Sequence, residues 1–149
     1  MLGHITYSSE DIMNQKFGRK FQDIKSKIEG TVDYEVENYL QYKGEKFSDT
    51  FDANSYILMT KAMDGYDASF SSNGSLEEVM KRIKAKLLVV GFDSDWLYPP
   101  KRSKEIQLAA MNVDVQCSCV ILKGEQGHDS FLFASDRYVK IIKGFLDSK

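Results

Sequence analysis

Two short segments carry the residue types that could move a proton. Asp93-Ser94-Asp95-Trp96-Leu97-Tyr98-Pro99-Pro100 holds a carboxylate directly after an apolar run. Gly124-Glu125-Gln126-Gly127-His128-Asp129-Ser130-Phe131 holds a histidine after a second run. A carboxylate that accepts a hydrogen bond from an imidazole fixes its tautomer and stabilises its protonated form, so the ring can act as a base. Each residue alone is ordinary. An Asp after a strand commonly caps a helix or closes a turn, and a His between Gly and Asp is a common tripeptide. Their order along the chain raises the pair above those readings, because both fall where strands end.

The elements that must position them follow from the apolar pattern. Leu87-Leu88-Val89-Val90-Gly91-Phe92 is a continuous apolar run, as expected of a strand covered on both faces in a parallel sheet. Pro99-Pro100 opens a helix that turns Ile106, Ala109, Ala110 and Val113 inward. Val115 to Leu122 reads as a second strand, and Tyr138, Ile141, Ile142 and Phe145 stripe a final helix. Ahead of these, Ser75 and Glu78 have capping-box spacing, with Leu76, Val79, Met80 and Ile83 as the buried stripe. Helices alternating with strands predict an α/β architecture with parallel strands. In open sheets of that kind, functional groups gather past the C-terminal strand ends, where Asp95 and His128 fall. Two strands make a poor sheet alone, so the pattern looks like the end of a larger one.

The first part of the chain, to about Phe70, reads as helices, with a break at Ser71-Ser72-Asn73-Gly74. Ser8-Ser9-Glu10-Asp11 suggests a helix start, followed by Ile12, Met13, Phe17, Phe21 and Ile24 near helical spacing. A second helix is expected from about Asp33 to Tyr42. Asp52 is placed to cap a third, with Tyr56, Met59, Thr60 and Met63 on one face. Aromatic residues are dense here, which suggests a packed helical layer or an interface.

Composition narrows the classes. The 149 residues are 42% hydrophobic and 28% charged, with a net charge of −2, which argues for one folded domain and against disorder. Basic residues are scattered among acidic ones, so no nucleic-acid partner is expected. No stretch has the length of a membrane span and no signal peptide is visible, so the expected compartment is the cytoplasm. Cys117 and Cys119 lie two apart in a strand, point to one face and read as small buried hydrophobes. No metal site is expected. His4 has no ligand-spaced partner and reads as structural. Gly124-Glu125-Gln126-Gly127 lacks the Lys and Ser/Thr of a phosphate loop, and the Asn73-Gly74-Ser75 sequon reads as chance.

The order strand, Asp, helix, strand, His, helix is the ending of an α/β-hydrolase, whose triad runs Ser, acid, His. Within it, Leu2-Gly3-His4-Ile5-Thr6-Tyr7, Lys16-Phe17-Gly18-Arg19, Phe47 to Tyr56, Ala62-Met63-Asp64, Ser94 to Pro100 and Gly127 to Leu132 together resemble the homoserine O-acetyltransferases. Phe51-Asp52-Ala53-Asn54-Ser55-Tyr56 beside Ala62-Met63-Asp64 is the most specific block. The resemblance implies the last two parallel strands of an α/β-hydrolase core with flanking helices over residues 71–149, and a mostly helical lid insertion over residues 1–70. It implies acetyl transfer from acetyl-CoA to the hydroxyl of L-homoserine, on the way to methionine, through an acetyl-serine. Asp95 would be the triad acid and His128 its base. Asp129 matches the position that holds the substrate ammonium, and Tyr7 a tyrosine near the substrate carboxylate. Acetyl-CoA enters as a substrate, and no bound cofactor is implied. The implied partner is a second copy through the lid helices, or the half that carries the nucleophile.

Two departures from the family pattern stand out. The sequence contains no Gly-x-Ser-x-Gly elbow, and the family's carboxylate-binding arginine, which precedes the tyrosine that Tyr7 matches, has no counterpart in these residues. The 149 residues are therefore expected to be inactive by themselves, and to associate or order only partly in solution. Two other readings remain: a non-catalytic remnant serving as an interaction module, and a relative using succinyl-CoA as donor or serine as acceptor.

Overall fold

The computed structural model describes residues 2–22 and 34–148. They form two compact units, Met1–Tyr66 and Asp67–Lys149.

The first unit is helical. Helix α1 spans Leu2–Thr6 and α2 spans Glu10–Lys16. The Ser9 hydroxyl accepts from the Ile12 amide at 3.2 Å, so the cap falls one residue later than the Ser8-based spacing implied. The continuous helix expected through Phe21 stops at Lys16, because Gly18 turns the backbone left-handed at φ 51°. Ile24 and Asp33, invoked in the sequence reading, lie outside the described residues. Phe21 and Tyr34 form an isolated antiparallel bridge, with their rings stacked at 4.8 Å. Helix α3 runs over Glu35–Thr50, well beyond the expected end at Tyr42. One glycine, Gly44, costs a helix only about 1 kcal/mol. The residues beyond it stay helical, with Phe47 stacked on Phe51 at 5.1 Å. Helix α4 covers Ala53–Asp64, and its Asp52 cap accepts from the Ser55 amide at 2.6 Å, as the sequence predicts. The expected face of α4 is only weakly buried: Tyr56, Met59 and Met63 are exposed.

The second unit has the predicted alternation. After a short 3₁₀ turn at Phe70–Ser72 come α5 (Leu76–Met80), β1 (Leu87–Phe92), α6 (Pro100–Met111), β2 (Cys117–Leu122), a 3₁₀ segment (Gly127–Leu132) and α7 (Asp136–Asp147). Ser75 caps α5 by accepting from the Glu78 amide, and Ser135 caps α7 by accepting from the Tyr138 amide. Strands β1 and β2 pair in parallel, Leu87 opposite Cys117 through Phe92 opposite Leu122. This is an α/β unit of two parallel strands with flanking helices.

The core lies under one face of this pair. Met80, Ala109 and Ala110 are buried, with Leu76, Ile83, Leu87, Ile106, Val113, Val115 and Cys117 packed around them. The alanines of α6 let that helix lie close to the sheet. The approach is tight further along: a Cβ on Gly91 would come within 2.9 Å of Ser103 Oγ and 3.0 Å of Ile121 Cδ1. Strand β2 starts at Cys117 rather than Val115, because Asp114 turns at φ 59° just before it, yet Val115 still packs on the core. Leu87 to Val90 are only half-buried despite being uniformly apolar, while Phe92 and Leu122 at the C-terminal ends are buried.

Candidate active site

Parallel pairing brings the C-terminal ends of β1 and β2 side by side, and the loops that leave them carry the chemistry. From β1 the chain turns at once into Asp93-Ser94-Asp95. The Asp95 carboxylate is buried and folds back on its own loop, where Oδ1 accepts from the amides of Leu97 at 3.0 Å and Tyr98 at 2.9 Å. An Asp that accepts amides two and three residues on forms an Asx-type turn. Pro99 and Pro100 then start α6. The carboxylate is thus held by backbone, with Oδ2 left to face the next loop.

From β2 the chain passes Lys123 and Gly124 and enters the 3₁₀ segment through Gly127, a buried glycine at φ 66°. That left-handed turn suits glycine and delivers His128 toward Asp95. His128 Nδ1 lies 2.9 Å from Asp95 Oδ2, with the two side chains 17% and 8% exposed. An ionised carboxylate only accepts hydrogen bonds, so Nδ1 carries the proton and Nε2 is the basic nitrogen. The ring is flanked by Tyr98 at 5.1 Å and Phe131 at 5.4 Å between centroids. Aromatic walls and a backbone-fixed carboxylate restrict the imidazole to one orientation, as a base working on a fixed substrate requires.

The structure therefore unites two of the four residues singled out from the sequence, Asp95 and His128. Asp129 follows His128 in the same 3₁₀ segment and is half-buried. Tyr7 is exposed and belongs to the helical unit, just past α1. The sequence reading missed the two amides that hold Asp95 and the rings that flank His128. The Asx-type turn was open to inference from Asp95 placed four residues before Pro99. The Tyr98 contact was not, because it joins residues 30 apart in sequence, whereas Phe131 lies only three residues from His128.

Ser94, beside the acid, buries its Oγ with no hydrogen-bond partner among the described residues, which makes it unsuited to attack a substrate carbonyl. No group of three or more His, Cys, Asp or Glu suited to a metal ion occurs among the described residues. Cys117 and Cys119 are free thiols, and burial pushes both above the ordinary thiol range. Among the described residues no helix is long and apolar enough to cross a membrane.

No family model matches the chain. Curated relatives do. A homoserine O-succinyltransferase of Acinetobacter baumannii (strain AYE) is 47% identical over 146 residues, covering 98% of this chain and 38% of the relative. One of Nitrosomonas eutropha is 41% identical over 148 residues, covering 99% of this chain and 39% of the relative. Among solved structures, a homoserine O-acetyltransferase from Bacillus anthracis superposes with a TM-score of 0.83 at 18% identity, over 97% of this chain and 39% of that one. The esterase E22 structure gives 0.81 at 21% identity, over 98% and 40%. The chain matches a segment of the homoserine O-acyltransferase family. The chain spans about 38% of the length of the curated relatives it matches, and its second unit has the fold of part of an α/β-hydrolase core.

Proposed function

We propose that this segment supplies the acid and base of an acyl-transfer site that moves an acyl group from coenzyme A to the hydroxyl of L-homoserine. The observation that carries the reading is the 2.9 Å bond between Asp95 and His128 on neighbouring strand-end loops, in a chain 41–47% identical to homoserine O-succinyltransferases. In the proposed cycle, His128 Nε2 takes the proton of a serine hydroxyl and the serine oxygen attacks the thioester carbonyl. The coenzyme A thiol leaves with that proton. His128 then takes the homoserine hydroxyl proton, homoserine attacks the acyl-serine, and the serine oxygen regains a proton. Asp95 holds the ring and stabilises its charged form.

The serine and its oxyanion donors are assigned to the remainder of a full-length enzyme, since these 149 residues hold no Gly-x-Ser-x-Gly elbow. The half-buried apolar residues of β1 support that reading, because they fit a sheet with more cover than the described residues give. Asp129 is proposed to hold the homoserine ammonium and Tyr7 to lie near its carboxylate. The helical unit is proposed as lid, over about residues 1–70, with its exposed Tyr56, Ile57, Leu58 and Met59 as a surface for a second copy. Succinyl-CoA is the proposed donor on the names of the relatives, in place of the acetyl-CoA expected from sequence alone.

The test joins this segment to the remaining N-terminal part of the Acinetobacter baumannii relative and follows homoserine-dependent release of coenzyme A thiol. Turnover is expected in the fusion, faster with succinyl-CoA than with acetyl-CoA, and absent from the 149 residues alone. Undiminished turnover in a His128→Ala fusion would refute the assignment.

A further inference from the structure

We propose that Asp93 is a positioning residue: its carboxylate ties the loop that bears the acid to the loop that bears the base, and so keeps His128 on Asp95. The inference rests on the acid–base reading of that pair and adds a residue to it.

Asp93 is the first residue beyond β1, and its side chain crosses to the neighbouring loop. Asp93 Oδ1 accepts from the Gly124 amide at 2.8 Å, while its own amide donates to the Leu122 carbonyl at 2.9 Å. Two bonds therefore clamp the start of the acid loop to the start of the base loop, one from backbone and one from side chain. The functional bond, Asp95 to His128, joins the same two loops two residues further along one and four along the other. Between these cross-links the base loop has little freedom. Ser130 is buried, and its hydroxyl accepts from the Gln126 amide at 3.1 Å. A Cβ on Gly124 would lie 2.6 Å from Ser130 Oγ and 3.0 Å from Phe92 Cβ, so the loop is pressed against both the 3₁₀ segment and the end of β1. Gly124 is thus held by packing on one side and by Asp93 through its amide. His128 follows four residues later, past the left-handed turn at Gly127.

A carboxylate on a surface loop gains little from folding unless it has such a partner. The charge-assisted bond to a backbone amide is stronger than a neutral one, and its geometry is that of a brace between loops. Loss of the brace lets the base loop sample positions in which Nδ1 no longer meets Asp95 Oδ2. The imidazole then divides between its two neutral tautomers, as it does in water.

The experiment uses the 149-residue chain and ¹⁵N-labelled histidine. Only His4 and His128 contribute ring signals, and ring nitrogen shifts report which nitrogen carries the proton. In the unaltered chain His128 is expected as the Nδ1–H form, and the Gly124 amide is expected to exchange with solvent at least tenfold slower than an unstructured glycine. Asp93→Ala is expected to mix the His128 tautomers. Asp93→Asn, whose amide oxygen can still accept from Gly124, is expected to keep the Nδ1–H form. If Asp93→Ala leaves His128 unchanged, or Asp93→Asn disturbs it as much as Asp93→Ala does, the positioning role is wrong. Should Asp93→Ala fail to fold, the Gly124 amide of the unaltered chain decides, and rapid exchange there overturns the brace. Asp95→Asn serves as the reference. If that change also leaves His128 unmoved, the acid–base pair itself has failed. If it moves His128 while Asp93→Ala does not, only the brace has failed.

Discussion

Replacing Asp95 by Asn and by Ala separates what that carboxylate does for stability from what it does for chemistry. Asp95 is 7% exposed and accepts three hydrogen bonds: from the amides of Leu97 and Tyr98 on Oδ1, and from His128 Nδ1 on Oδ2. Alanine removes all three and strands two part-buried amide donors. Bonds to charged groups are worth about 1.5–3 kcal/mol each, and orphaned donors cost about 1–3 kcal/mol. Some of that returns as water reaches the loop, so the net loss is roughly 3–5 kcal/mol. Asparagine keeps Oδ1 and both amide bonds. It puts an NH₂ where Oδ2 was, and that group donates rather than accepts. His128 must then present an unprotonated Nδ1 and carry its proton on Nε2. The stability change is expected to stay within about 1 kcal/mol, while the basic nitrogen is lost from the side that would meet a serine.

Trp96 is the sole tryptophan and adjoins Asp95, so its fluorescence follows this loop through a urea titration. With an m-value of about 1–2 kcal/mol per M, Asp95→Ala should lower the midpoint by about 1.5 M or more, and Asp95→Asn by less than about 1 M. Ring ¹⁵N shifts should show the tautomer reversed in Asp95→Asn. In the fusion enzyme the same change should cut turnover about 10⁴-fold, or about 5.5 kcal/mol of barrier. If Asp95→Asn destabilises as much as Asp95→Ala while the tautomer stays put, the carboxylate is a loop cap alone and its link to the base is incidental.

Gly91→Ala would force β1 away from Ser103 and Ile121, and overpacking of this kind costs about 1–3 kcal/mol. The urea midpoint should fall without a change in the His128 tautomer. Asp52 has its acidity strengthened chiefly by the Ser55 backbone amide. A carboxyl lowered in the folded state adds stability that is present above its unfolded value near 3.8 and is lost as pH falls through the lower folded value. Far-ultraviolet dichroism should show helix loss in that acid range, and Asp52→Asn should remove that pH dependence while keeping much of the cap. Burial raises the Cys117 and Cys119 thiols, so alkylation of the native chain at neutral pH should be slower than that of the urea-unfolded chain. Equal rates would contradict that packing.

The α/β alternation was legible because its signals are local. The run Leu87 to Phe92 has no polar residue to suggest any other element, and the strand occupies those residues and no others. Ser75, Pro99-Pro100 and Asp52 mark helix starts through groups that act within three residues of themselves, and all three helices begin there. Ends were read less well where one residue outweighs a pattern. Gly18 stops α2 although apolar residues continue at helical spacing, and Gly44 fails to stop α3 although glycine is a poor helix former. Both are glycines; one adopts a left-handed conformation and the other sits inside a helix whose neighbours carry it. Residue type alone does not distinguish them.

The site divides along the same line. Asp95 and His128 could be paired in advance because parallel strands put consecutive C-terminal ends together, so topology alone brings their loops into reach. What holds them there depends on distances that topology does not fix. The Gly124 amide finds Asp93 only if β1 and β2 pair in the register that sets Phe92 opposite Leu122. A shift of that register by one residue would turn Asp93 to the other side of the sheet end and break the cross-link, while leaving both strands apolar and both helices capped. Pairing register is thus the variable on which this cross-link depends, and the side chain that makes it, Asp93, is an ordinary loop residue until the strands have met.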